Sequence, residues 1–246
     1  QKIHRSKIFL ILFVIIIGSL IIRMHYFSFE IPLTSDALVY FYYASDIAVI
    51  GNLPNNYSPA NPGWPMFVSG FFHLLNFETV NEFMQTQKIL SIIISVITII
   101  PIYFLCRKFL DQRFSMLGCV LFAFEPHLIQ NSLLGITDPL YILLITSSIS
   151  MSLSSNKKLI FLSFVIVGLS TNVRAEGLFV FLAMISILII NGKKKRKTMI
   201  FCILIFLVMV TPLAYHKYNV MENDALFMRA SNSITALTDL DVSNGN

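Results

Sequence analysis

Residues 178–215 read LFVFLAMISILIINGKKKRKTMIFCILIFLVMVTPLAY. Two apolar stretches, neither carrying a charge, flank the unbroken cationic run Lys193 to Lys197. A helix needs roughly 20 apolar residues to cross the hydrocarbon of a bilayer, and each stretch supplies most of that. Basic connections stay on the cytoplasmic side. The segment therefore predicts two membrane helices joined by a cytoplasmic turn that rests against anionic headgroups. A lysine-rich run also suits a nuclear signal or a nucleic-acid patch. Placed between two apolar runs, it reads as a topology anchor.

The rest of the chain repeats this pattern. Of 246 residues, 56% are hydrophobic and only 13% charged, with a mean hydropathy of +0.74; a soluble domain is about a quarter charged. Seven apolar segments can be drawn, at 8–22, 89–106, 114–130, 139–153, 159–170, 178–190 and 198–215. The connections 1–7, 107–113, 154–158 and 191–197 hold 13 of the 18 Lys and Arg but a single acid, Asp111. The other connections, with the adjoining segment ends, hold the remaining acids and few cations. The expected fold is an all-α polytopic membrane protein of about seven helices, N-terminus inside and C-terminus outside. The first apolar run has the shape of a signal peptide, but the bulky IIRMHYFSFE that follows offers no small-residue cleavage site. Cys106, Cys119 and Cys202 lie in or beside apolar runs and read as buried small hydrophobes. No internal repeat, P-loop or zinc-ligand spacing is present. The non-Met start and the polar tail read as a piece of a longer chain.

The charges on the outer side carry the chemistry. The long connection 24–88 contains DALVYFYYASDIAVI, a helix suited to the interface, then the turn-rich GNLPNNYSPANPGWP and a second aromatic helix, MFVSGFFHLL. A structured loop of this size has a task more often than not. At 100° per residue Asp36, Tyr40 and Tyr43 share one side of the first helix, and Asp46 points away. Asp36 has a plainer explanation as an acid in the first turn of a helix capped by Thr34 or Ser35. The second outer turn, FEPHLIQNSLLGITDPLY, brings Glu125, His127 and Asp138. Capping accounts for Asp138 before Pro139 but poorly for Glu125, a carboxylate near membrane depth. In the third turn, TNVRAEGLF, Arg174 and Glu176 can pair with each other or reach to headgroups; alternatively the planar fork of Arg174 faces a phosphate. Trp64 suits sugar stacking or an interfacial anchor.

These motifs together, an acid after the first span, NPGWP, EPHL with TDPLY, and VRAEGL, resemble the GT-C glycosyltransferases. Within them the chain is most similar to the protein O-mannosyltransferase and aminoarabinose transferase branch, over its seven-helix N-terminal module. The resemblance implies a module at 1–214 and the start of an extracytoplasmic region at 215–246. It implies Asp36 as catalytic base, with Asp138, Glu125, Arg174, Glu176, Tyr40, His127 and Trp64 binding substrate. Family members often carry paired acids where this chain has Ser35–Asp36, and Pro where it has Ala175. Cofactors stay open, with a divalent metal held by Asp36 or Asp138 and a histidine, His73 or His127, as one option. The implied partners are a polyprenyl-phosphate-linked sugar donor, a protein, glycan or lipid acceptor and membrane lipids, and not nucleic acid. The implied setting is a prokaryotic cell membrane with the active site extracytoplasmic. A seven-helix receptor is disfavoured by the cytoplasmic N-terminus. A transporter would place polar groups at mid-membrane; this rival and a lipid flippase are the non-enzymatic alternatives.

Overall fold

The structure is a computed structural model that describes residues 5–33, 35–75, 79–190 and 196–221. Most of the Lys193–Lys197 run and the acidic tail after Met221 lie outside them. The described residues form helices and connecting turns, without strands. The helices are α1 (Arg5–Tyr26), α2 (Asp36–Ile50), α3 (Gly63–Leu74), α4 (Val80–Ile97), α5 (Ile99–Cys106), α6 (Gln112–Ala123), α7 (Pro126–Leu133), α8 (Asp138–Ser152), α9 (Lys157–Val173), α10 (Gly177–Ile190) and α11 (Arg196–Met221). All-α membrane architecture is what the composition requires. Helices long and apolar enough to cross a bilayer lie within Lys7–Tyr26, Val80–Cys106 and Lys197–Val220; the other expected segments are helical but shorter.

The helices depart from the expected segments in several places. The second segment starts earlier, at Val80, where Thr79 and Glu82 form a capping box. Pro101 has no N–H for the carbonyl of Ile97, so the helix is interrupted at Thr98; Thr98 N to Ile94 O (3.0 Å) and Ile102 N to Thr98 O (3.1 Å) carry it onward. The segment expected at 114–130 is not one helix: it ends at Ala123 and resumes at Pro126. Glu125, in extended backbone, starts α7 with its carboxylate accepting from Leu128 N at 2.6 Å. The last helix continues past Tyr215 to Met221.

The helices pack in three buried clusters. One joins α1, α4, α5 and α6 around Ile92, Ile99 and Ala123. A second joins α9, α10 and α11 around Phe164, Met184 and Phe206. The third seats α2 and α3 on α4 and α8: Tyr40, Phe41 and Ala44 meet Trp64, Val68 and Phe72 over Leu90, Ile94 and Leu140. Burying such side chains is worth about 1.5–3 kcal/mol each, enough to make the two loop helices part of the bundle. The apolar side chains of Phe9, Leu10, Phe13 and Val14 on α1 remain exposed, as a lipid-facing surface would.

Candidate active site

Gly135 joins the turns that carry the acids. With φ +71° it occupies the left-handed region that glycine tolerates. Its carbonyl accepts from the Trp64 indole at 2.9 Å and from the Gln87 side-chain amide at 2.8 Å. The same amide nitrogen donates to Ala37 O at 2.9 Å. One buried glutamine on α4 thus ties the start of α2, just after Asp36, to the turn three residues before Asp138. Gly63, at the start of α3, lies against the third turn so closely that a Cβ there would stand 2.7 Å from the backbone of Asn172 and Val173. Lys217 of α11 donates to Ala60 O at 2.9 Å. The first loop and the two later turns are therefore pinned together at one end of the bundle.

Arg174 is the centre of the polar cluster there. It follows the last residue of α9 in extended backbone, φ −150°. Its Nη1 pairs with Asp138 Oδ1 and its Nη2 with Glu176 Oε1 at 3.0 Å. Its guanidinium lies 5.6 Å from the centre of the Tyr141 ring. Burial by itself would lower the guanidinium's pKa, but Glu176 and Asp138 more than offset this and hold it above its ordinary value. Asp138 opens α8, where the helix dipole favours an anion.

Beside this cluster lies an apolar cavity of about 670 Å³, lined by α3, α8, α9 and α11, among them Phe67, Leu144, Met209 and Leu213. Leu140 and Val173, close neighbours in sequence of Asp138 and Arg174, line it too. Asp138 and Arg174 themselves do not line it.

Asp36 is exposed at the first position of α2. Among the described residues no hydrogen bond or ion pair engages its carboxylate. Ser35 before it makes no side-chain cap and has φ 48°, a strained value for a residue with a Cβ. Neither helix capping by Ser35 nor a salt bridge therefore accounts for Asp36; Thr34, the other expected cap, lies outside the described residues.

Other expectations need correction. Trp64 is fully buried, stacked on Phe67 and bonded to Gly135, so it neither stacks on a sugar nor anchors at the interface. Tyr40 is also buried, with its hydroxyl accepting from Asn61 at 3.3 Å, whereas Asp36 one turn before it is exposed. Glu125 and Asp138 exchange their expected roles. Glu125 is the cap, whereas Asp138 makes no cap, because Thr137 is already helical in backbone and takes the N-cap position. His127 is exposed on α7. Among the described residues no three His, Cys, Asp or Glu side chains gather as a metal site. Gln87 and Tyr141 were not singled out from sequence. Tyr141 was signalled by its place one turn after Asp138; nothing local marks Gln87.

The class of protein is that of the membrane glycosyltransferases of the GT-C type, on the match of a family model. Residues 62–216 match the dolichyl-phosphate-mannose-protein mannosyltransferase family, and the chain belongs to it. The match covers α3 to α11 and leaves Asp36 outside. No curated protein matches the chain.

Proposed function

We propose that the protein moves a sugar from a polyprenyl-phosphate-linked donor to an acceptor hydroxyl at the extracytoplasmic membrane surface, with inversion and with Asp36 as base. The family's description names dolichyl-phosphate-mannose as donor and protein as acceptor; a mannosyl donor and a protein hydroxyl are accordingly the first substrates to try. The observation that carries the reading is an apolar cavity whose lining residues Leu140 and Val173 lie two and one positions from the paired Asp138 and Arg174. A prenyl chain suits such a cavity, and its phosphate would then meet the guanidinium.

The donor already has a good leaving group. The enzyme has to supply a base for the acceptor proton and donors for the phosphate charge. The carboxylate of Asp36, exposed and without a partner among the described residues, is available to take that proton. Arg174 steadies the departing phosphate through its planar fork. Asp138 holds Arg174 in place, and attack from the face opposite the phosphate inverts the anomeric carbon. Glu125 serves as the cap of α7 and His127 is exposed on it; the reaction needs neither.

Asp36→Asn tests the assignment. Removing a positioned base costs about 10²–10⁴-fold, so transfer of radiolabelled mannose from a polyprenyl-phosphate donor in membrane fractions should nearly vanish while the protein inserts normally. Near-wild-type transfer by that variant would refute the role.

A further inference from the structure

Arg23, near the end of α1, is fully buried without a carboxylate partner among the described residues. Its Nη1 donates to Ser19 and to Ala123 O at 2.9 Å, and so caps the orphan carbonyls at the end of α6. Its Nη2 donates to Ser95 Oγ at 3.1 Å. Ser95 thereby accepts from a cation, and no described group takes its own proton. That hydroxyl borders a cavity of about 10 Å³, lined also by Thr98, Asn131 and Asp138. About 10–15 Å³ of such volume holds one water, provided two to four polar groups surround it.

The surrounding groups have bonding capacity left. Thr98 Oγ1 gives its proton to Ile94 O and keeps lone pairs. The Asn131 amide has no described partner. Asp138 engages Arg174 through Oδ1, and Oδ2 has no described partner.

We propose that this cavity holds one ordered water, and that Arg23, Ser95 and the water form a donor chain ending on the free oxygen of Asp138. Ser95 gives its proton to the water, and the water donates to Asp138. Bonds fed by a charged donor are stronger than neutral ones, so the far end of the chain is a firm second anchor for the carboxylate. Arg23 and Ser95 are positioning residues: they touch no substrate and act through Asp138. Their purpose follows from the proposed function, on which this inference rests. When a donor phosphate takes one side of the Arg174 fork, Asp138 has to hold the guanidinium alone, and the water chain keeps that carboxylate in place.

Two measurements on the full chain in lipid nanodiscs decide the matter. A map at about 2 Å resolution should show one solvent peak within hydrogen-bond distance of Ser95, Asn131 and Asp138; an empty cavity overturns the proposal, whether or not the protein transfers sugar. In steady-state transfer, Ser95→Ala should lower kcat about tenfold, the worth of one strong hydrogen bond, with the donor KM little changed. In an Asp138→Asn background the same change should cost nothing further, because its effect runs through that carboxylate. A merely structural role would give losses that multiply in the double variant, and that result also overturns the chain. Absence of transfer by the wild-type protein would sink the proposed function alone, and the map would still decide the water.

Discussion

Gln87→Met separates the tether between the turns from the stability of the fold. Gln87 is fully buried, and methionine is close to it in length and volume. The substitution removes the bonds to Ala37 O and Gly135 O, each worth about 1 kcal/mol net. Neither carbonyl is orphaned. Gly135 O keeps the Trp64 indole, and Ala37 O, inside α2, keeps its helical partner four residues on. Gln87 Oε1, on the other hand, is buried without a partner among the described residues, a standing penalty of about 1–3 kcal/mol that methionine abolishes. Loss and gain nearly cancel, so global stability should move by no more than about 1 kcal/mol. Transfer should suffer far more, because the start of α2 with Asp36 is no longer tied to the turn leading to Asp138. A misplacement of about 1 Å can cost on the order of 10²-fold. The comparison pairs thermal unfolding in nanodiscs with single-turnover transfer from a polyprenyl-phosphate sugar. A variant that melts within a few degrees of the parent and transfers at the parental rate would refute the tether.

Arg174→Lys keeps the charge but cannot hold Asp138 and Glu176 with one planar fork; kcat should fall at least tenfold, measured with donor saturating. Glu125→Ala removes the α7 cap, so the melting point should drop by the equivalent of about 1 kcal/mol with the donor KM unchanged, as thermal and kinetic assays on one preparation will show. Trp64→Phe leaves Gly135 O with Gln87 alone and opens space in the core. It should cost about 1–3 kcal/mol by denaturant titration, without the selective KM increase expected of a sugar platform. Glu176→Gln removes an anion that competes for Arg174, so the donor KM should fall in initial-rate measurements.

The helical membrane class and the two loop helices were legible because they depend on short-range pattern. DALVYFYYASDIAVI coincides with α2, and hydropathy located every long span. What failed was whatever a distant partner decides. Glu125 and Asp138 carry the same local signature, an acid followed by proline at a helix start. Only Arg174, far along the chain, makes one of them an ion-pair partner while the other remains a cap. The same holds for Trp64: the preference of tryptophan for interfaces is an average, and the carbonyl of Gly135 overrides it here. Arg23 gave no signal as a functional residue, since an arginine near the end of a first span ordinarily faces headgroups. Its burial depends on Ser19, Ser95 and the end of α6 meeting around it.

The two carboxylates on Arg174 differ in what it costs to release them. The Glu176 side chain is 47% exposed and that of Asp138 22%. An exposed ion pair is worth about 0–1 kcal/mol, because water nearly replaces the lost partner. Separating a more buried pair leaves a charge poorly solvated and costs more. If the proposed donor binds there, its phosphate should displace Glu176 and leave Asp138 where it is. The guanidinium stays oriented by α8 while one side of its fork becomes free. On the proposed function Glu176 is a stand-in anion that holds the fork in shape and yields to a ligand with more charge and better geometry.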